Sequence, residues 1–373
     1  MSPSLERFGL RVISGEARGV GPTLLRGALA IASPFYAAAM MARNRCFNVG
    51  VLKEHRLSRR VISVGNLTAG GTGKTPIVRW LADHLRARGW QPAVLLRGYE
   101  KRGATFSDEE RLLQDYLIGM AVIANPNRLD GAREALDKRP GTDVILLDDG
   151  FQHRRVARDV DLVLINAAEP FGFGHVHPRG LLREPLRGLR RATAVILTRC
   201  DAVDANQLDW IERVVRSIEA KIPIFRTVHD MPGFRRAGTL ANLTVDEPLD
   251  WIKGRPFFSF SGIGSPKTFH DQLVRAGGRA VGSRLFPDHY EYAAADLAAL
   301  LRDASAAGAE VLLTTEKDWV KVSGLAGARE TKPPILRVEV CIHFQQPDDE
   351  TRLVDLVEQR ITPRLSGDDD PSA

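Results

Sequence analysis

The sequence predicts an α/β protein with a mostly parallel sheet covered by helices on both faces, and with a smaller C-terminal α/β domain. Short, nearly continuous apolar runs recur along residues 61–197, and amphipathic segments separate several of them. Strands that are buried on both faces of a parallel sheet have this uninterrupted apolar character. A second alternation of strands and helices begins near residue 255.

The elements of the first domain follow from apolar periodicity. Residues 76–88 are predicted to form a helix because Ile77, Leu81 and Leu85 recur on one face at helical spacing. The runs of apolar residues are short enough for strands, and the segments between them are long enough for helices. The predicted strands are 61–64, 93–96, 121–124, 144–147, 162–165 and 194–197, and the other predicted helices are 128–138 and 205–220.

Glycine, proline and polar residues accumulate over residues 232–254, where the periodicity weakens. We interpret this segment as a domain boundary, since a linker has little to bury. Regular alternation resumes beyond it. The elements predicted there are strands at 257–260, 311–314 and 335–340 and helices at 266–276 and 293–307.

An uncharged stretch near the N-terminus, residues 27–42, is followed by clustered cations from Arg43 to Arg60. The stretch is shorter than the roughly 20 residues of a membrane-spanning helix, and Pro34 interrupts it. An apolar segment beside basic residues is typical of a helix that lies in an anionic membrane interface. A helix docked on the protein core is the alternative.

The charge balance indicates an anionic partner. A net charge of +6 fits nucleic acid, a phospholipid surface or a phosphorylated substrate. The sequence contains no basic motif interleaved with aromatic residues, so nothing beyond charge supports nucleic-acid binding. Cys46, Cys200 and Cys341 form no CxxC pair, which argues against a disulfide or zinc framework and fits a reducing cytoplasm.

The strongest local signal is a glycine-rich loop between a predicted strand and a predicted helix. It reads VGNLTAGGTGKTP from Val64 to Pro76, with Thr68 where the strict P-loop pattern has glycine. In a P-loop, backbone N–H groups and a helix N-terminus hold nucleotide phosphates. We predict that Lys74 reaches the β- and γ-phosphates and that the Thr75 hydroxyl ligates Mg²⁺. The predicted nucleotide-binding residues are Thr68, Ala69, Gly70, Gly71, Thr72, Gly73, Lys74 and Thr75.

Another apolar run ends in two adjacent acids, in the segment VILLDDGFQHRR from Val144 to Arg155. Ligands of open α/β sheets collect at the carboxyl ends of the strands, where P-loop enzymes also place a metal-ligating acid. Adjacent residues of a strand point to opposite sides. We therefore expect one of Asp148 and Asp149 to meet Mg²⁺ and the other to hold the loop, and the choice between them stays open.

A basic run follows at residues 179–191 and contains the segment GLLREPL. Arginine side chains in such a run supply paired hydrogen bonds to phosphate groups, so we predict contacts to nucleotide or substrate. A solvated helix face is the alternative.

The order of these motifs resembles the tetraacyldisaccharide 4'-kinase family, the lipid A 4'-kinases. The resemblance extends from about Gly27 to about Val340, and the pairing of GGTGKTP with DDGFQHRR is typical of the family. The matching segments are VGNLTAGGTGKTP, LLRGY, SDEERLL, DDGFQHRR, GLLREPL, FSGIGSP, FPDHY and TTEKD.

The resemblance implies a P-loop kinase-like fold with ATP and Mg²⁺ as cofactors. It implies transfer of the γ-phosphate of ATP to the 4'-hydroxyl of a tetraacyldisaccharide 1-phosphate, a lipid A precursor, which forms lipid IVA. It also implies a peripheral enzyme on the cytoplasmic face of the bacterial inner membrane, with no nucleic-acid partner.

The resemblance implies residue roles as well. Asp108 matches an acid that acts on the acceptor hydroxyl, and His289 matches its partner, although Tyr290 replaces a second histidine. Lys74 completes the predicted catalytic set. The predicted substrate contacts are Arg97, Tyr99, Arg183 and Glu184.

We therefore predict three parts of the chain. They are an N-terminal membrane-associating helical segment at 1–60, a P-loop kinase domain at 61–231 and a smaller C-terminal α/β domain at 255–362. These ranges place Asp108 and His289 in different domains. The alternative function is a P-loop ATPase whose hydrolysis drives assembly or membrane positioning without a phosphorylated product.

Overall fold

The computed structural model describes residues 3–98, 108–236, 245–264, 266–287 and 290–362. Tyr99 and His289 lie outside these ranges, and the side chain of Asp108 is likewise outside the described part. The described residues form two compact units. The larger unit contains residues 6–98, 119–229 and 342–362, and the smaller unit contains 3–5, 108–118 and the described part of 230–341.

Helices and strands alternate through most of the described chain. The helices are α1 (Pro3–Ser14), α2 (Val20–Asn48), α3 (Lys74–Ala87), α4 (Asp108–Tyr116), α5 (Arg128–Lys138), α6 (Ala205–Ile218), α7 (Pro266–Arg275), α8 (Ala294–Ala306), α9 (Glu316–Val322) and α10 (Asp349–Ile361). The strands are β1 (Arg60–Asn66), β2 (Pro92–Leu96), β3 (Ala121–Ala124), β4 (Val144–Asp148), β5 (Val160–Asn166), β6 (Ala194–Thr198), β7 (Ile224–Asp230), β8 (Gly233–Arg236), β9 (Glu247–Pro248), β10 (Pro256–Ser261), β11 (Arg279–Leu285), β12 (Val311–Thr315), β13 (Ile335–Val338) and β14 (Cys341–Phe344).

An eight-stranded sheet, in the order β14-β7-β6-β5-β1-β4-β2-β3, forms the centre of the larger unit. The pairs from β7 across to β3 are parallel. β1 lies beside β4, with Val64 opposite Asp148. The loop after β1 and the acids that end β4 therefore lie at the same edge of the sheet. The predicted α/β fold with a mostly parallel sheet is confirmed.

Helices cover this sheet and explain its apolar strands. Every residue of β2, β4, β5 and β6 is buried. α3 buries Ile77, Leu81 and Leu85, the three residues whose spacing predicted the helix. α6 buries Leu208 and Ile211 in a core cluster that includes residues of β5 and β6. A strand that is covered in this way carries no polar alternation.

A six-stranded sheet forms the smaller unit, in the order β11-β10-β12-β13-β8-β9. The pairs from β11 to β13 are parallel, whereas β8 runs antiparallel to both β13 and β9. Residues 232–254, which we interpreted as a domain boundary, supply β8 and β9 to this sheet. The change from the larger to the smaller unit lies just before this segment, between residues 229 and 230. The periodicity of the segment is weak because its strands are short, and β9 contains only Glu247 and Pro248.

Two segments group differently from the predicted domain ranges. Residues 108–118, which include α4, belong to the smaller unit, and α10 belongs to the larger unit. α10 contacts α3 and the residue that follows it, with His84 Nε2 2.7 Å from Glu350 Oε1 and Arg88 Nη1 2.8 Å from Glu358 Oε2. Asp108 is thus in the unit that contains the residues flanking His289, whereas the predicted ranges assign the two residues to different domains. Sequence ranges alone do not reveal that a chain leaves a unit and returns.

The N-terminal apolar stretch is part of a longer helix than we expected. α2 contains 29 residues, about 44 Å in length, and continues through Pro34. It is the one helix among the described residues that is long and apolar enough to cross a membrane. Leu24, Ile31 and Phe35 are 69%, 72% and 74% exposed. These three residues are called the apolar face of α2 below, and they are not packed in the core.

Candidate active site

The glycine-rich loop occupies residues 67–73, between the end of β1 and the start of α3. Gly73 caps α3 with φ 80°, a left-handed conformation that favours glycine. A Cβ atom on Gly73 would lie 2.6 Å from Nε2 of His229, so a side chain has no room there. The loop therefore leads directly into a helix N-terminus whose first N–H groups suit an anion.

Residues of the GLLREPL segment pair with this loop. The backbone N–H of Ala69 donates to the carbonyl of Leu181 at 2.7 Å, and that of Arg183 donates to the carbonyl of Leu67 at 2.7 Å. These bonds place the basic segment beside the phosphate loop. The sequence predicted the chemistry of both segments but not their direct pairing.

Side chains at the end of β6 and in β7 support the loop from another direction. The Thr198 hydroxyl donates to the carbonyl of Thr72 at 3.0 Å. His229, which contacts Gly73, has its pKa lowered to about 4 because burial and the Arg199 guanidinium both disfavour its charged form. A neutral imidazole thus lies against the loop at neutral pH. Sequence reasoning missed these contacts, because a threonine and a histidine at strand ends form no motif.

Lys74, Asp149 and Arg183 form the charged centre of the site. Lys74 Nζ lies 3.4 Å from Asp149 Oδ1, and Arg183 Nη1 donates to both oxygens of Asp149 at 2.8 Å. Lys74 Nζ also donates to Oδ1 of Asn66 at 3.3 Å. Burial raises the pKa of Asp149, but Lys74 and Arg183 together hold it below its ordinary value. Asp149 is therefore ionised at neutral pH.

The two adjacent acids occupy different environments. Asp148 ends β4 and is buried, and its carbonyl accepts from Arg128 Nη2 at 3.1 Å. Asp149 lies in the following turn with φ 55°, a conformation uncommon for residues other than glycine. This turn places its carboxylate against Lys74 and Arg183. Thr75 lies half-buried in the first turn of α3, so the edge offers carboxylate and hydroxyl oxygens, which are the donors that Mg²⁺ prefers.

Glu184 is 1% exposed, and its carboxylate is held by three side chains. Arg191 Nη2 donates to both oxygens at 2.8 and 2.9 Å, Gln152 Nε2 donates at 3.1 Å and Asn44 Nδ2 donates at 2.8 Å. A carboxylate buried in this way acts through its neighbours. The geometry thus favours a positioning role for Glu184 over the predicted substrate contact.

The other predicted site residues have the following positions. Arg97 is exposed and follows β2, at the same sheet edge as Lys74. Asp108 is the first residue of α4, in the smaller unit. Tyr99 and His289 lie outside the described residues, so their roles stay predictions.

Comparison with known proteins agrees with these motifs. The family described as tetraacyldisaccharide-1-P 4'-kinase, LpxK, matches residues 25–360. A tetraacyldisaccharide 4'-kinase of Anaeromyxobacter sp. (strain Fw109-5) is 37% identical over 358 residues, which cover 92% of each chain. A second, from Anaeromyxobacter sp. (strain K), is 37% identical over 324 residues, 82% of this chain and 84% of that relative.

The fold is also similar to that of a solved structure. The crystal structure of "apo" form LpxK from Aquifex aeolicus in complex with ATP has a TM-score of 0.69 and 27% sequence identity, over 90% of this chain and 99% of that chain. Both kinds of comparison extend over most of the chain and include both units. The chain belongs to the tetraacyldisaccharide-1-P 4'-kinase family.

Proposed function

We propose that the protein transfers the γ-phosphate of ATP to the 4'-hydroxyl of a tetraacyldisaccharide 1-phosphate, a lipid A precursor, with lipid IVA as the product. The observation that carries this proposal is the ion pair of Lys74 with Asp149 at the start of α3. It places a cation at a helix N-terminus, where nucleotide phosphates bind in P-loop enzymes. Membership in the 4'-kinase family supplies the acceptor.

Phosphate binding follows from the loop geometry. Backbone N–H groups of residues 68–75 and the N-terminus of α3 hold the β- and γ-phosphates. Lys74 presents its charge to the oxygens that gain negative charge during transfer. Since Asp149 and Asn66 already hold the ammonium group, little reorganisation is needed at that moment. Arg183 supplies a second cation beside the first.

The donor set at this edge also fits a magnesium ion. Thr75, Asp148 and Asp149 would hold it, since each offers an oxygen ligand. When bound, Mg²⁺ supplies further neutralisation of the β- and γ-phosphate oxygens. Asp149 also has an effect that needs no metal. Its carboxylate orients the side chains of both Lys74 and Arg183.

Asp148→Ala and Asp149→Ala are each expected to lower kcat by roughly 10²-fold, because each removes a carboxylate from the phosphate site. Raising the Mg²⁺ concentration should partly restore whichever variant has lost a metal ligand. The measurement is kcat against Mg²⁺ concentration for both variants. Asp137→Ala, at an exposed position of α5, is the matched control. If neither active-site variant alters the Mg²⁺ dependence, the metal role is wrong.

The acceptor hydroxyl needs a base, since a sugar hydroxyl is a poor nucleophile at neutral pH. We assign that role to Asp108 and a supporting role to His289, on the basis of the motifs SDEERLL and FPDHY. Arg97 and Tyr99 are the proposed contacts to the lipid substrate. The exposed position of Arg97 at the sheet edge is consistent with this assignment.

The apolar face of α2 fits a membrane surface. A helix with one apolar face, cations near both ends and hydrogen bonds from its other side to the protein suits the interface plane better than a spanning position. Arg45, which is exposed near the C-terminal end of α2, supplies positive charge for anionic lipids. We therefore propose peripheral attachment at the cytoplasmic face of the inner membrane, where ATP and the lipid meet.

Substituting the apolar face with Leu24→Ser, Ile31→Ser and Phe35→Ser is expected to release the protein from anionic vesicles and to raise the apparent KM for lipid. ATP affinity should stay close to that of the wild type, because these side chains point away from the contacts that α2 makes with the active-site segments. Vesicle sedimentation and lipid-dependent kinetics measure both effects. Val274→Ser, at an exposed apolar position of α7, is the control. Unchanged partitioning would show that the apolar face does not bind membrane.

A labelling experiment distinguishes the kinase from the alternative ATPase. The full chain is incubated with γ-labelled ATP and a bacterial lipid extract, and the organic phase is then counted. Label in the organic phase is the expected result. Label released only as free phosphate would support an ATPase and overturn the proposed function.

A further inference from the structure

α2 has a second face that contacts the active-site segment. Asn44 Nδ2 donates to Oε2 of Glu184 at 2.8 Å, and the Tyr36 hydroxyl donates to the carbonyl of Arg183 at 3.0 Å. With a period of 3.6 residues, Asn44 lies roughly opposite the apolar face, and Tyr36 lies about 120° from it around the helix. The same helix thus contacts Arg183 and Glu184 of the GLLREPL segment with one face and presents apolar side chains on another.

A continuous set of hydrogen bonds leads from Glu184 to the P-loop lysine. Gln152 Nε2 donates to Oε1 of Glu184 at 3.1 Å and to the backbone carbonyl of Asn66 at 2.9 Å. The side chain of Asn66 in turn accepts at Oδ1 from Lys74 Nζ at 3.3 Å. The Gln152 amide therefore joins the Glu184 carboxylate to the backbone of Asn66, the residue whose side chain accepts from Lys74.

The burial of Glu184 makes its partners important. A carboxylate removed from water is costly unless hydrogen bonds replace the water that it loses. Asn44 supplies one of those bonds, with Arg191 and Gln152 supplying the others. Without Asn44 the carboxylate is less well satisfied, and it is free to turn toward Arg191 and away from Gln152.

We infer that Asn44 is a positioning residue for phosphate transfer, which acts through Glu184 and Gln152 to hold Asn66 and the ammonium group of Lys74. This inference rests on the proposed function. It gives α2 two separable tasks. Its apolar face binds the membrane, and its opposite face holds the catalytic lysine in place.

Asn44→Ala tests the inference, and Asn48→Ala is its matched control. Asn48 lies one turn further along α2. Its Oδ1 accepts a hydrogen bond from Arg154, whereas Asn44 donates to Glu184. Asn44→Ala is expected to lower kcat roughly 10-fold, since it removes a hydrogen bond to a charged group. The KM for lipid and the partitioning to anionic vesicles should stay within about twofold of wild type, because the apolar face is intact. Asn48→Ala should match the wild type in all three quantities.

A double-mutant cycle locates the effect. Glu184→Gln should lower kcat by itself, and Asn44→Ala should add little to it if Asn44 acts through that carboxylate. Thermal unfolding of each variant checks folding. If Asn44→Ala does not fold, Asn44→Gln and Asn48→Gln replace the pair, since both keep an amide and shift it by one methylene.

Three results would overturn the inference. These are equal kcat values for the Asn44 and Asn48 variants, additive losses in the cycle, and a loss of activity that follows the loss of vesicle binding. A wild-type chain that hydrolyses ATP without labelling lipid would contradict the proposed function instead. The same variants would then be compared by their rates of ATP hydrolysis.

Discussion

Lys74→Ala is expected to lower kcat for phosphate transfer by roughly 10²–10³-fold, because it removes a preorganised cation from the place where negative charge shifts. In the structure this ammonium group is already held by Asp149 and Asn66. The loss should appear in kcat at saturating ATP and lipid as well as in kcat/KM, since the interaction strengthens in the transition state. Both quantities are measured with γ-labelled ATP.

Lys138→Ala is the control for this prediction. Lys138 is an exposed lysine of α5 that pairs with Glu134 at 2.9 Å. It carries the same charge and receives the same substitution, but exposed ion pairs contribute little. Its kcat should equal that of the wild type. If the kcat of Lys74→Ala equals that of Lys138→Ala, the assignment of this loop as a P-loop is wrong.

Asp108→Asn is expected to lower kcat by roughly 10²–10⁴-fold while ATP binding stays nearly intact. The substitution keeps the shape of the side chain and removes the basicity that accepts the proton of the 4'-hydroxyl. Asp108 lies in the smaller unit and the phosphate loop in the larger unit. Nucleotide affinity should stay close to that of the wild type, because the substitution leaves the glycine-rich loop and Lys74 unchanged. The measurements are kcat with lipid and equilibrium binding of a fluorescent ATP analogue.

His289→Ala separates a coupled pair from two independent residues. If His289 orients the acid, His289→Ala should lower kcat less than Asp108→Asn does. The double variant should then lose little more activity than Asp108→Asn alone. Glu109→Gln neutralises the neighbouring acid and should leave kcat unchanged. Additive losses would refute the coupled pair. A normal kcat in Asp108→Asn would show that another group is the base.

The parts of the candidate site that the sequence predicted are built from consecutive residues. Lys74 and Thr75 were predicted because a strand, a glycine-rich loop and a helix follow one another directly. Asp148 and Asp149 were predicted because they follow a run of apolar residues, which forms β4 and ends at Asp148. In both cases one local segment specifies the backbone and the chemistry together.

The parts that the sequence did not reveal depend on contacts between distant segments. Gln152 was visible within DDGFQHRR, but only folding brings its amide to Asn66 and Glu184. Glu184 was predicted as a substrate contact, whereas the fold buries it among donors. Asn44 gave no signal, because a single asparagine in an apolar helix has no pattern.

The extent of α2 was underestimated for a related reason. Pro34 removes one backbone donor and usually ends or kinks a helix. Here the helix continues through it, and the hydroxyl of the neighbouring Ser33 donates to the carbonyl of Val176 at 2.9 Å. A local breaker was thus outweighed by the rest of the segment.

The most direct test of the central claim identifies the bond that forms. The full chain is incubated with ATP, Mg²⁺ and a defined tetraacyldisaccharide 1-phosphate, and the lipid product is examined by mass spectrometry and by ³¹P–¹H correlation NMR. We predict one new phosphate monoester whose phosphorus couples to the proton at the 4' position, with one ADP formed per ester. An unchanged lipid beside free phosphate, or an ester on any other oxygen, would contradict the account.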